Sequence, residues 1–174
     1  MPDSFATIVD THLDAAYQLA RWLTRDASVA EDVVQDAMVR ALTYFASFRG
    51  ENPKAWLLTI VRNVALGKLG ISKHDTQSLD DIDTLETQRD KLIDPGAGPE
   101  EALHQQQEQQ VVSSCIERLP LELRECLILR EWEELSYKEI ATVIEAPIGT
   151  VMSRLFRARQ LLANSLSHSL ELAP

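Results

Sequence analysis

Cysteine is almost missing from this chain: Cys115 and Cys126 are the two thiols among 174 residues. Neither stands at metal-ligand spacing from the other or from His12, His74, His104 or His168. No metal site and no cofactor is therefore expected, and both thiols read as reduced core residues. Glycine is sparse as well, at six residues, and none of them builds a phosphate-cradling loop. No nucleophile motif occurs, so an enzyme is the weakest reading and a small-molecule substrate has no support. Aromatic residues make up 6% of the chain, and runs of strand-like alternation are missing, which excludes a sheet and leaves an all-α fold. No apolar run is long enough to span a bilayer, and no basic segment followed by an apolar one opens the sequence. Direct membrane insertion is not expected, and the expected location is cytoplasmic.

Acid is abundant. The formal charge is −10, unevenly spread: residues 1–70 carry −1, residues 71–110 carry −7 and residues 111–174 carry −2. Within the last of these, 149–160 holds three arginines and no acid. An acidic protein with one basic helix binds DNA weakly by itself, because carboxylates within a Debye length repel phosphate. That balance points to a protein brought to DNA by a partner.

The periodicity divides the chain into two helical domains. In the first, 1–70, a stripe of Phe5, Ile8, Val9, Leu13, Tyr17, Ala20 and Leu23 defines one helix. Ser28 with Glu31 reads as a capping box, followed by an inward face of Ala30, Val33, Val34, Ala37, Met38, Ala41, Leu42 and Phe45. Asn52 reads as the cap of a third helix with Pro53 at its first position, buried through Trp56, Leu57, Ile60, Val61, Val64 and Ala65 and stopped at Gly70. Residues 71–98 read as a flexible acidic linker. The second domain, 99–168, opens with a glutamine-bearing helix to Arg118 and a helix over 121–132.

It ends in two helices and a tight turn. Ser136 and Glu139 form a capping box; Ile140, Val143 and Ile144 make a short apolar stripe; Pro147 is placed to start the next helix. There Val151, Leu155, Ala158 and Leu162 face inward, and Ser153, Phe156, Arg157 and Gln160 face outward, flanked by Arg154 and Arg159. Glu145 falls where glycine would more easily take a left-handed conformation, so modest strain is expected. A turn and a helix with basic and polar residues outward is the geometry of major-groove reading, a helix-turn-helix. A solvated arginine face is the plainer alternative.

The segments AEDVVQDAMVRAL (30–42), FRGENPKAWLLTIVRNVA (48–65) and the stretch 119–162 resemble regions two and four of bacterial RNA polymerase sigma factors of the sigma-70 family, in the short two-domain form of the extracytoplasmic-function (ECF) group. The resemblance implies a non-enzymatic promoter-specificity subunit. Its partners would be the RNA polymerase core, through the largest-subunit clamp coiled coil and the flap, promoter DNA, and an anti-sigma protein. It implies a polymerase-binding face at Asp32, Gln35, Asp36 and Arg40. It implies minus-ten recognition and melting at Phe48, Arg49, Gly50, Asn52, Arg62, Asn63 and Lys68, and minus-thirty-five recognition at Arg130, Thr150, Ser153, Arg154, Phe156, Arg157 and Arg159. Arg157 would fork onto guanine and Phe156 would meet a thymine methyl. Arg154 and Arg159 would reach phosphates or pair with glutamates of neighbouring helices. Met152, Gly67 and Gly70 depart from the family's usual basic or polar residues.

Three readings follow. One is a sigma factor, serving a stress or envelope-response regulon. The second is a sigma-like decoy that titrates an anti-sigma protein without initiating transcription, favoured by Met152, Gly67 and the acidic total. The third is a dimeric helix-turn-helix repressor, which leaves the first domain unexplained.

Overall fold

The computed structural model describes residues 4–71 and 100–172, and all their regular structure is helical. The expected linker therefore lies, apart from Ile71, outside the described residues. Seven helices follow in order: α1 (Phe5–Thr24), α2 (Ala27–Tyr44), a 3-10 turn at Phe45–Ser47, α3 (Pro53–Lys68), α4 (Glu100–Glu117), α5 (Leu121–Glu131), α6 (Tyr137–Ile144) and α7 (Ile148–Glu171).

The chain reverses between α1 and α2 in two residues. Arg25 takes a left-handed conformation (φ 57°), and Asp26 then turns extended, its carboxylate accepting from the Val29 amide at 3.0 Å. The cap of α2 is thus Asp26, not the expected Ser28. The reversal at Arg25 puts the first free helical amides beside Asp26, two residues earlier than the Ser28–Glu31 spacing implies. Asn52 caps α3, accepting from the Ala55 amide at 3.1 Å, with Pro53 following it. Asn52 itself sits at φ 45°, a left-handed conformation that asparagine tolerates better than most residues. Gly70, at φ 70°, stops α3, and the Ile71 amide reaches back to the Leu66 carbonyl at 3.0 Å.

Small residues set the spacing of the first unit. Ala16, Ala20, Ala30, Ala37, Ala41, Ala55 and Ala65 are buried where α1, α2 and α3 approach one another. The buried face of α2 is narrower than its apolar pattern implies. Only Ala30, Val33, Ala37 and Ala41 are fully enclosed, whereas Leu42 is 61% exposed, and Leu13 and Tyr17 of α1 are also at the surface. Leu13, Tyr17 and Leu42 have no helix to cover them among the described residues, whereas Ile8 and Leu23 are enclosed.

The second unit packs α7 against α5, α6 and α4. It also lies directly on the first: α3 packs against α6, and α1 against α5. One cluster of buried side chains runs through both, from Leu19 and Leu57 to Ile128, Ile140 and Leu155. Burial on two sides explains why α3 encloses Leu58, Arg62 and Leu66 besides its expected stripe, and why Glu122 to Leu129 of α5 are buried without a break.

Candidate nucleic-acid interface

The α6–α7 pair is locked at its entrance. The Glu139 carboxylate accepts from the Ser136 amide at 2.7 Å, and the Ser136 hydroxyl accepts from the Glu139 amide at 3.1 Å. Ser136→Ala removes one arm of this box and is expected to cost about 0.5–2 kcal/mol in a chemical denaturation experiment. Glu145 closes α6 at φ 55° and ψ 48°, the left-handed conformation. Pro147 takes extended geometry just before α7, so Ile148 rather than Pro147 is the first helical residue.

Ile140, Val143, Val151, Leu155 and Ala158 face the core. Outward, Ser153 and Gln160 are exposed, Met152 is 53% exposed and Phe156 is 70% exposed. A shallow, mostly apolar hollow of about 560 Å³ lies on this face, lined by Tyr137, Met152, Phe156, Arg159 and Gln160. Met152 therefore replaces a potential charge with apolar surface next to Phe156. Arg157 is half-buried, and no ion pair is formed by it among the described residues.

The other arginines are committed. Arg154 is 7% exposed and directs its charge onto Glu122 and Cys126 of α5, so it lies in the core rather than on the outward face. Burial pushes the Glu122 carboxyl above the usual carboxylate range and the Cys126 thiol up to about 12, which leaves that thiol inert. Arg159 donates to Glu131 at 2.8 Å, both partners about half exposed. Arg130 donates to the Leu135 carbonyl at 2.9 Å and lies 4.9 Å from the centre of the Tyr137 ring. The Thr150 amide donates to the Pro147 carbonyl at 3.0 Å, and the residue is half-buried.

In the first unit, the loop into α3 rests on aromatic packing that the sequence reading did not foresee. Phe48 packs on Trp56 with ring centres 4.6 Å apart, and Phe45 touches Phe5, Phe48 and Trp56. Trp56 is half-buried by these contacts. Arg49, Gly50 and Asn52 are exposed at the tip, with Gly50 at φ 81°. Two turns beyond Trp56 along α3, Asn63 is half-buried, and its Oδ1 accepts no hydrogen bond among the described residues. Lys68 pairs with Asp36 at 2.8 Å, which holds the Asp36 carboxyl below its ordinary range. Asp32, Gln35, Asp36 and Arg40 are all exposed on α2.

Arg62 lies elsewhere. Its Nε and Nη2 donate to the two carboxylate oxygens of Glu125 at 2.7 and 3.1 Å, and the partners are 3% and 1% exposed. Two more contacts cross the same boundary. The Asn52 Nδ2 donates to Glu139 Oε1 at 2.8 Å, and Lys54 Nζ lies 2.8 Å from the Glu133 carbonyl and 3.2 Å from its carboxylate. Lys54 escaped the sequence reading. Its signal was available, since a cation in the first turn opposes the helix dipole and needs a nearby anion. Arg124 completes the junction by donating to the carbonyls of Glu117, Leu119 and Leu23, with burial holding its guanidinium down to about 10. Among the described residues no acid, histidine or cysteine cluster is suited to hold a metal, and no helix is long and apolar enough to cross a membrane.

Residues 8–69 match the family described as Sigma-70 region 2, and residues 109–162 match Sigma-70, region 4. The chain is 37% identical over 146 residues to the RNA polymerase sigma-H factor of Pseudomonas aeruginosa, covering 81% of this chain and 75% of that one. It is 35% identical over 139 residues to the ECF RNA polymerase sigma-E factor of Escherichia coli strain K12, covering 78% and 72%. The structure resembles the sigma factor RpoE of Bartonella quintana, solved with the anti-sigma factor NepR, at 29% identity and a TM-score of 0.67, over 91% of this chain and 94% of that one. It also resembles CnrH, solved with the cytosolic domain of CnrY, at 25% identity and a TM-score of 0.65, over 94% and 88%.

Proposed function

Because the chain belongs to the extracytoplasmic-function group of the sigma-70 family of RNA polymerase sigma factors, we propose that it binds the polymerase core and directs initiation at promoters of a stress or envelope-response regulon. The observation that supports this reading best is the outward face of α7. Ser153 and Phe156 are exposed and Arg157 is half-buried beside them, on a helix whose opposite side buries Val151, Leu155 and Ala158. Such a face presents a fork donor and an aromatic edge to the major groove. Arg130, Arg159 and the Thr150 hydroxyl supply candidate phosphate contacts around it. The exposed row Asp32, Gln35, Asp36 and Arg40 is the candidate polymerase face. The loop Phe48 to Asn52, with Asn63 and Lys68, is the candidate minus-ten face. An anti-sigma protein is the proposed inhibitor, by likeness to RpoE solved with the anti-sigma factor NepR.

Run-off transcription with purified core polymerase, using a promoter selected from a random library, tests the proposal. The expected result is initiation at one defined start that is lost on Asn63→Ala. Core binding without initiation supports a decoy instead. A smaller effect follows from the Arg159–Glu131 pair. Glu131→Ala frees Arg159 for phosphate, so the salt dependence of duplex binding is expected to steepen by about 0.9 in log–log slope, the value for one added phosphate contact. An unchanged slope in a salt titration removes Arg159 from the interface.

A further inference from the structure

Two lines of side chains run side by side along the outward face of α7. One is polar, with Ser153 followed a turn later by Arg157. The other is apolar, with Met152 followed a turn later by Phe156, both exposed. Together with Tyr137, Arg159 and Gln160, the apolar line borders the shallow hollow of about 560 Å³. Tyr137 is held in place there, hydrogen-bonded to Arg159 and with the Arg130 guanidinium 4.9 Å from its ring centre. By sequence alone Met152 is a lost DNA contact, because a thioether has no hydrogen to donate to a phosphate or a guanine. Its place beside Phe156 and Tyr137 gives it another use.

We propose that Met152 and Phe156 together select two thymines of the duplex element, each side chain packing on one 5-methyl group at the mouth of this hollow. The proposal rests on α7 being the duplex-facing helix and names what that helix selects. Among the four bases only thymine shows a methyl group in the major groove, so an apolar side chain placed there discriminates without a hydrogen bond. Residues four apart on a helix are separated by about 6 Å along its axis, less than two base-pair steps of about 3.4 Å each. The two methyl groups therefore lie within two base pairs of one another. Methionine suits such a contact, since its unbranched, polarizable chain adapts to an irregular apolar surface. Charge favours nucleic acid over an apolar protein segment as the occupant. Residues 149–160 hold three arginines and no acid. Arg159 flanks the apolar line on one side, sharing its charge with Glu131, and Arg157 flanks it on the other. Cations on both sides of an apolar strip meet phosphates as the strip meets base edges.

Replacing thymine by deoxyuridine tests this one methyl group at a time. Holoenzyme carrying the full chain first selects its duplex element from a random library. Each thymine of that element is then exchanged singly for deoxyuridine, which removes the methyl group and keeps every hydrogen-bonding group. Competition binding is expected to weaken about fourfold at two positions within two base pairs of each other, the worth of one buried methyl group at each. The other thymines are expected to tolerate the exchange. Met152→Ala should abolish the preference for thymine over uracil at one of the two positions, and Phe156→Ala at the other. Both side chains are exposed, so unchanged helical circular dichroism is expected of both variants. An element selected as before, but with thymine and uracil equal to within about twofold at every position, overturns the proposal. It leaves α7 as the duplex-facing helix and makes the hollow a site for a protein partner. A single sensitive position that ignores Met152→Ala overturns it too, with Phe156 the one methyl contact. If holoenzyme selects no duplex element at all, the duplex-facing reading of α7 falls with it.

Discussion

Arg62→Ala is expected to cost the closed arrangement about 3–5 kcal/mol, the penalty for stranding one charge of a buried pair. Glu125, 1% exposed in the intact pair, would lose its bidentate donor. A carboxylate cannot stay ionised there without water or a partner. Two escapes exist: protonation, or separation of the two helical units so that water reaches it. Separation exposes the apolar cluster shared by both units, including Leu58 and Ile128. The whole stability of such a domain is about 5–15 kcal/mol, so the loss is large on either route. Urea titration read by tryptophan emission and by circular dichroism distinguishes them. Opening moves the emission transition to lower urea ahead of the helical one, which breaks two-state coincidence. Unfolding moves both. If neither moves, the pair contributes nothing and the closed arrangement is held by packing alone. The double variant Arg62→Met, Glu125→Leu should recover most of the loss, since it removes both charges and keeps volume.

The helix-turn-helix is legible in the sequence because the Ser136–Glu139 box and the spacing of Val151, Leu155 and Ala158 agree, even though Glu145 takes the left-handed turn where glycine would fit more easily. The same holds for Asn52, Pro53 and Gly70 around α3. What the sequence hides is the junction. Ala55, Leu58, Arg62 and Leu66 follow one another at helical spacing and are all buried, yet a periodicity reading that expects one inward face assigns the arginine to solvent. Only a second packing partner makes that line an interior one, and nothing local names the partner. Glu125, beside Cys126 and the apolar run Leu127 to Leu129 of α5, was the complementary clue. Arg154 misleads in the same way. Its neighbours Ser153 and Arg157 are outward or half-outward, but a rotation of one residue along α7 takes it into the core against Glu122. The linker charge, plain in the sequence, belongs to residues that lie, apart from Ile71, outside the described ones.

The second large effect concerns sequence readout. Arg157→Ala is expected to cost about 1–3 kcal/mol at one base pair of the duplex element and nearly nothing at the others. Among the α7 arginines it is the one placed to do this. Arg154 is enclosed, and Arg159 spends its fork on Glu131, whereas Arg157 lies one residue beyond the exposed Phe156. Half-burial works in its favour, because a side chain held at its base loses less freedom when it forks onto a guanine. The measurement is selection of duplex binders from a random library by holoenzyme carrying either residue, followed by affinities for all four base pairs at the position that relaxes. Relaxation at one position, with an unchanged salt slope, identifies direct readout. A uniform loss across sequences with a shallower slope makes Arg157 a phosphate contact instead, and leaves Ser153, Phe156 and Gln160 to carry specificity through shape and methyl contacts. Arg159→Ala made in the Glu131→Ala background, where Arg159 is released from its pair, should give that second pattern, so the variants separate reading from anchoring on a single helix.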